Sequence, residues 1–263
     1  MTNALIGYSG FVGNTLLKQG MFEARFRSTD IGEIAGKSFD TVVCAGAPAQ
    51  KWIANREPKE DLRNIEALIG RLRTVQCRHF TLISTVDVFK SPLRVDEDTA
   101  VDETDLHPYG RNRRHLEKFV QSHFADHLIV RLPGLVGPGL RKNVIFDLLN
   151  DNNLGAIDSR GMFQFYPMVN LAYDIATARS GGLKLVHLTA EPISVGEISA
   201  QGFGKPFEQN LGDAPARYDM RTRHAALFGG AGHYQYSARE TVQAVRAYRQ
   251  SEPLTIKAGV GPQ

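Results

Sequence analysis

Two side chains carry the chemistry this sequence offers. Tyr109 sits in "HPYGRNRRHLEKF" (107–119), and Thr85 lies two dozen residues earlier in "LISTVDVF" (82–89). A phenol with a pKa of about 10 is a poor proton donor or acceptor at neutral pH until a nearby cation lowers it, and a Thr or Ser hydroxyl beside it then shares the substrate oxygen. The Pro-Tyr-Gly turn leads into a helical pattern that carries three arginines. Four residues are about 400° of helix, so Arg113 shares a face with Tyr109 while Arg111 and Arg114 point away. Lys118, nine residues on, falls on the opposite side. Arginine is a permanent cation with several donors, so Arg113 can hold a ligand and lower the tyrosine pKa; with its own pKa above about 12 it relays protons poorly. The alternative makes Arg113 an ordinary surface charge on a degenerate site.

A second constellation comes earlier in the chain. "GYSGFVG" spaces Gly7, Gly10 and Gly13 between an apolar run, "ALIG" (4–7), and a helical stretch, "FVGNTLLKQG", that stops at Gly20. Glycines there let the backbone turn tightly and approach a pyrophosphate, and the free N–H groups of the helix point at the phosphates. Ser9, Phe11 and Val12 complete the expected cofactor turn. Cofactor choice belongs at the end of the next strand, near "EARFRSTDI", where Asp30 would hold the ribose diol of NAD and Arg27 with Ser28 would accept the 2′-phosphate of NADP. The segment offers both, so the cofactor is NAD or NADP.

The elements that must position these residues are legible as well. Short apolar runs recur at "TVVCAG" (41–46), "HFTLIS" (79–84), "HLIVRLPG" (127–134) and "LKLVHL" (183–188), separated by helical stretches such as "EDLRNIEALIGRLRTV". That alternation predicts a Rossmann-type α/β fold, a doubly wound parallel sheet covered on both faces, with Ser84 and Thr85 at a carboxyl strand end where ligands bind. From about residue 141 the pattern becomes irregular and aromatic-rich, closing on the amphipathic "SARETVQAVRAYRQ". Residues 1–140 are expected to form the dinucleotide-binding domain. Residues 141–263 form a smaller, mainly substrate-binding part, with late strand material returning to the sheet and a frayed tail, "IKAGVGPQ".

Composition excludes several classes. With 42% hydrophobic and 22% charged residues the chain is ordinarily globular, and no stretch approaches the roughly 18 apolar residues of a membrane span. The amino terminus lacks a basic secretory leader pattern, so a cytoplasmic protein without membrane partners is expected. Two cysteines, Cys44 and Cys77, are too few for a disulfide framework or a cysteine zinc site, and no metal is expected. The net charge of +3 is spread along the chain, which argues against a nucleic-acid partner.

"GYSGFVG", "ISTVDVF", "HPYG" before a helix, and "RLPGLVGPG" occur in the order found in the extended short-chain dehydrogenase/reductase family, the NAD-dependent epimerase/dehydratase group, which the chain resembles over nearly its whole length. "YPMVNLAYDIA" and "LVHLTAEPISVGEIS" resemble later family segments, and Asn64 stands where the family places a helix asparagine. The resemblance implies that Thr85 and Tyr109 are catalytic, that "VVCAGAPA" is the loop after the fourth strand and passes the cofactor with Ala45, Gly46 and Ala47, and that Pro133 lies beside the nicotinamide. It implies a nucleotide-sugar substrate, reduction or epimerisation, and a homodimer. The family lysine four residues after the tyrosine is replaced by Arg113, which leaves open an impaired NAD(P)-binding regulator or scaffold. Family dehydratases follow the catalytic Thr with Asp-Glu; here Val86 intervenes before Asp87, which argues against dehydration. Asp87, Asn143, Tyr166 and Arg221 are the candidate substrate contacts, Arg221 belonging to an arginine run (Arg217, Arg221, Arg223) suited to a diphosphate or else simply solvated, and Tyr166 to the cleft or the core.

Overall fold

The computed structural model describes residues 2–253; the tail expected to fray lies outside them. Six parallel strands form the central sheet: β1 (Asn3–Ile6), β2 (Ala24–Phe26), β3 (Ser38–Cys44), β4 (Gln76–Thr85), β5 (His127–Leu132) and β6 (Leu185–His187), in the order β2-β1-β3-β4-β5-β6. The order reverses between β1 and β3. At such a switch point the connections leave to opposite faces and open a crevice beyond the carboxyl ends of the strands.

Alternation along each strand assigns the two faces. Ala4, Ile6, Val42, Cys44, Phe80, Leu82 and Ile129 pack toward α3 (Pro58–Leu72) and α4 (Pro108–His123). Their neighbours Leu5, Val43, Leu128, Val130 and Leu132 pack toward α1 (Phe11–Gln19) and α6 (Leu171–Ser180). Two more helices, α2 (Lys51–Arg56) and α5 (Val144–Asn150), flank the crevice. A third core, of Ile145, Leu148, Phe165, Ile198, Val242 and Val245, ties the later residues to α7 (Ala238–Ser251).

The doubly wound sheet is as the sequence predicts, with one correction. The strand before "AGAPA" is the third of this sheet and not the fourth, because residues 27–37 hold a turn and a 3₁₀ helix (Ile31–Ile34) in place of a further strand. The irregular stretch is built of two-stranded pairs: Gly134–Val136 with Phe165–Pro167, Met162–Phe163 with Ile193–Ser194, and Leu93–Val95 with Asp219–Met220. No helix among the described residues is long and apolar enough to cross a membrane.

Candidate functional site

The "HPYG" turn is built so that α4 begins against the end of β4. His107 caps the helix, its Nδ1 accepting the Gly110 N–H at 3.0 Å, Pro108 occupies the first turn, and the Tyr109 N–H donates to Asn55 Oδ1 at 3.0 Å. A Cβ on Gly110 would stand 2.1 Å from the Asp87 carbonyl oxygen, so glycine is what lets the helix start reach the turn after β4. Tyr109 is thereby delivered to the carboxyl end of that strand.

Arg113 lies where helical geometry puts it, its guanidinium 4.2 Å from the centroid of the Tyr109 ring. It is not a solvated charge: only 3% of Arg113 is exposed, and its partner Asp61 is buried as well. Arg113 Nη1 donates to Asp61 Oδ2 at 2.6 Å and Nη2 to Asp61 Oδ1 at 2.9 Å, while Nη2 also donates to the Pro48 carbonyl. Asn112 Nδ2 holds the same carboxylate at 2.7 Å. The sequence offered one signal for Asp61. It falls on the buried stripe of α3 with Ile65, Leu68, Ile69 and Leu72, and a carboxylate on such a stripe needs a partner. Asn64, the residue matched by resemblance, is exposed. Arg111 turns to the Leu106 carbonyl and Arg114 to Glu117, away from the phenol as expected.

At the end of β4 the two hydroxyls divide their work. Ser84 Oγ donates to Glu117 Oε1 at 2.6 Å, and Glu117 is in turn gripped by Arg131 through Nε at 2.9 Å and Nη2 at 2.7 Å. Ser84 is therefore committed to a buried ion pair, and Thr85 is the hydroxyl that lines the cavity with Tyr109. Thr85 Oγ1 also caps the following turn, accepting the Asp87 N–H at 3.1 Å and lying 3.4 Å from Asp87 Oδ2. Asp87 Oδ1 accepts from Lys51 Nζ at 2.6 Å, with the Tyr218 hydroxyl 3.5 Å away.

Burial pushes the Tyr109 phenol above its ordinary value; Arg113 pulls it down, Asp87 pushes it up, Thr85 and Lys51 pull it down, and burial prevails. The expectation that a neighbouring cation leaves this phenol lowered is thus corrected, because desolvation is the larger effect in the pocket. Burial draws the Lys51 ammonium down, but the Asp87 charge and hydrogen bonds to Asp87 and Tyr218 leave it above its usual value.

In the glycine turn, Gly7 has φ +83°, and a Cβ there would meet the Ala45 oxygen at 2.4 Å; a Cβ on Gly13 would meet the Gly7 oxygen at 2.0 Å. Both glycines are demanded by the fold. Gly10 is different. It has φ −77°, and its nearest neighbour to a Cβ is 3.5 Å away, so the protein itself leaves room for a side chain. Gly10 caps α1 with no side chain on the first N–H groups and no acidic residue in the first turn. Bare donors and open space fit a pyrophosphate.

A cavity of about 780 Å³ joins these parts. Phe11, Val12, Ala45, Ala47 and Pro133 wall one side; Thr85, Asp87, Tyr109 and Arg113 lie at the strand ends; Asn143, Lys142 and Tyr218 come from the later chain. Lys51, Trp52 and Lys142 on this wall had no signal in the sequence. Trp52, 63% exposed, stands at the rim. Asn143 holds φ +98° while its side chain accepts the Ile145 N–H and donates to the Leu135 carbonyl, so it shapes the wall by capping α5.

Two substrate candidates are not brought to this cavity. Tyr166 is wholly buried in the core, donating to Asp174 Oδ2 at 2.5 Å. Arg221 forks onto Asp219 at 2.9 and 3.1 Å, and Arg223 pairs with Asp98. Arg27, Ser28 and Asp30 follow β2 beyond the cavity wall, with Asp30 Oδ1 accepting the Arg27 N–H at 2.6 Å and Oδ2 3.5 Å from Arg27 Nε. Gly7, Ser9, Gly10, Gly13 and Gly46, in the turn and loop that carry Phe11 and Ala45, do not themselves line this cavity. A smaller cavity of about 320 Å³, lined by His79, Asp126, Arg179 and Lys184, opens at the opposite edge of the sheet.

Solved structures share this architecture. RMD from Pseudomonas aeruginosa, complexed with NADPH, is 16% identical with a TM-score of 0.70, over 95% of this chain and 97% of that one. A dTDP-4-dehydrorhamnose reductase from Yersinia enterocolitica is 16% identical with a TM-score of 0.71, over 95% and 99%. A UDP-galactose 4-epimerase is 17% identical with a TM-score of 0.69, over 95% and 98%. At these identities the likeness establishes the fold alone, the doubly wound parallel α/β fold described above. No family model matches the chain, and no curated protein matches it.

Proposed function

We propose that the chain is an NAD(P)-dependent oxidoreductase or epimerase acting on a carbonyl or secondary alcohol of a nucleotide-sugar. The observation that carries this reading is the Tyr109 phenol and the Thr85 hydroxyl together at the carboxyl end of β4, lining one cavity with Phe11 and Val12 of the helix that follows the uncapped glycine turn. Gly10 and the first N–H groups of α1 would hold the pyrophosphate, Ala45, Ala47 and Pro133 would flank the nicotinamide half, and Arg27 or Asp30 would meet the adenosine ribose. The cofactor supplies or accepts a hydride when bound. Tyr109 donates or takes the matching proton at the substrate oxygen, and Thr85 holds that oxygen. With Lys51 paired to Asp87 and Arg113 to Asp61, Lys142 leaves this wall with a net positive charge, which suits a diphosphate, and Trp52 at the rim offers a face for a nucleobase. The reading carries with it a cytoplasmic homodimer, which light scattering tests for assembly.

The experiment is incubation with NADH or NADPH and a panel of 4-keto nucleotide-sugars, following cofactor oxidation and epimer formation. Turnover in the wild type that falls at least about 100-fold in Tyr109→Phe, with cofactor affinity unchanged, supports the assignment. No oxidation and no epimer under any condition refutes it. A second reading, a cofactor-binding regulator or scaffold, is favoured by one observation: the cation beside Tyr109 is committed to Asp61. Tight NAD(P)H binding without turnover supports that reading, and turnover lost in Tyr109→Phe refutes it.

A further inference from the structure

We infer that the dinucleotide is NADP and that Arg27, with the Ser28 hydroxyl beside it, selects it, while Asp30 serves its own loop instead of the ribose. The inference rests on the proposed reading of the glycine turn as a dinucleotide site and names the cofactor which that reading leaves open. β2 ends at Phe26, which pairs with Ile6 of β1, and the Phe26 carbonyl accepts the Gly7 N–H at 2.7 Å. The first side chain beyond the strand, beside the glycine turn, is therefore Arg27. A carboxylate that holds the hydroxyls of an unphosphorylated ribose belongs at this strand end. The carboxylate this loop offers, Asp30, comes three residues later and is already engaged.

Asp30 Oδ1 accepts the Arg27 N–H at 2.6 Å, and the Arg27 carbonyl accepts the Asp30 and Ile31 N–H groups at 3.1 and 2.8 Å. These bonds close a turn that pins the Arg27 backbone on both sides. Asp30 Oδ2 lies 3.5 Å from Arg27 Nε and 3.5 Å from Thr29 Oγ1. With one oxygen fixed by the backbone and the other shared, the carboxylate does not present two free acceptors to a ribose diol. The guanidinium is in the opposite condition. Its contact with Asp30 is single and long, with side chains 50% and 30% exposed, and such a pair contributes little. Among the described residues nothing hydrogen-bonds its two Nη groups, and Ser28 and Thr29 beside it are exposed. A pinned backbone, a forked donor free at its end and neighbouring hydroxyls form a donor set for a phosphate monoester, the group that distinguishes NADP from NAD. The Asp30 charge opposes that phosphate, so the attraction has to come from Arg27.

The test is calorimetric titration of the full chain with NADPH, NADH and 2′,5′-ADP, none of which needs turnover. Wild type is expected to bind NADPH at least about tenfold more tightly than NADH, with a steeper loss of NADPH affinity as salt is raised. Arg27→Ala should weaken NADPH and 2′,5′-ADP about ten- to hundredfold and leave NADH within about twofold. Asp30→Asn separates the two roles, because its amide oxygen still accepts the Arg27 N–H. A brace for the loop predicts NADH within about twofold of wild type and NADPH unchanged or tighter. NADH bound as tightly as NADPH by wild type, equal losses of both in Arg27→Ala, or an NADH loss of about tenfold or more in Asp30→Asn would overturn the inference. These outcomes part from those of the catalytic reading. NADPH selectivity without turnover leaves the inference standing and refutes the oxidoreductase; turnover with NADH preferred does the reverse; a chain that binds neither cofactor overturns both.

Discussion

Removing both halves of the Arg113–Asp61 pair is predicted to cost far less than the sum of the two single removals. Arg113 and Asp61 are 3% and 5% exposed, and the guanidinium fork meets both carboxylate oxygens, at 2.6 and 2.9 Å. Neutralising one partner strands the other charge where water cannot reach it, a penalty of about 3–5 kcal/mol for a buried pair. Arg113→Met and Asp61→Asn should each lose about that much, which for a chain of this size lowers Tm by about 10 °C. The double variant discards both desolvation penalties together with the attraction, so its cost should fall short of the sum by about 3 kcal/mol or more. Equilibrium urea unfolding of the four proteins closes the cycle. Additive costs, or an Asp61→Asn loss under about 1 kcal/mol, would refute the argument that Arg113 is held by Asp61 and restore it as a free cation for the phenol or a ribose. Arg113→Lys should fall between: one nitrogen cannot span both oxygens and the Pro48 carbonyl, and the flat stack on Tyr109 is lost.

The glycine turn separates fold from ligand. Gly10→Ala should change stability by no more than about 1 kcal/mol, because a Cβ there meets nothing nearer than 3.5 Å, yet weaken NAD(P)H binding about tenfold or more in a fluorescence titration. Gly13→Ala should cost about 1–3 kcal/mol of stability by driving its Cβ toward the Gly7 oxygen, measured by the same unfolding assay. Burial raises the Glu117 carboxyl, but Arg131, Ser84 and Arg114 outweigh it and hold the group below its ordinary 4.5. A depressed carboxyl contributes stability that is present above the unfolded value and lost as pH falls through the folded one. Wild type should therefore lose stability on acidification below pH 4.5, while Glu117→Gln, less stable at pH 7, shows a shallower acid slope in thermal melts at stepped pH.

Local spacing revealed what local geometry decides. "GYSGFVG", the end of "LIST" and the "HPYG" turn are each a strand end or helix start whose backbone role is written in adjacent residues, and in the structure Thr85 and Tyr109 line one cavity. What stayed hidden was pairing across long separations. Asp61 and Arg113 are 52 residues apart, and Lys51 and Asp87 are 36 apart, distances over which helical and strand periods carry no information. Asp61 left a trace on an apolar stripe; Lys51, in the first turn of a short helix, left none. Tyr166 and the Arg221 run were ambiguous because an aromatic or an arginine near a loop reads the same whether it faces a ligand, the core or water.

The last strand of the sheet has a consequence for how the chain is made. β6 joins β5 from residues 185–187, about 55 residues after β5 ends. A nascent chain translated at about 5–20 residues per second therefore carries an open, apolar sheet edge at Leu128–Leu132 for about 3–11 s before its cover emerges. Ribosome-bound chains stalled before residue 185 should engage a holdase chaperone, and those stalled well beyond it should not. For the same reason a chain stopped at residue 140 should keep that edge bare and aggregate, which sedimentation of the truncated protein checks.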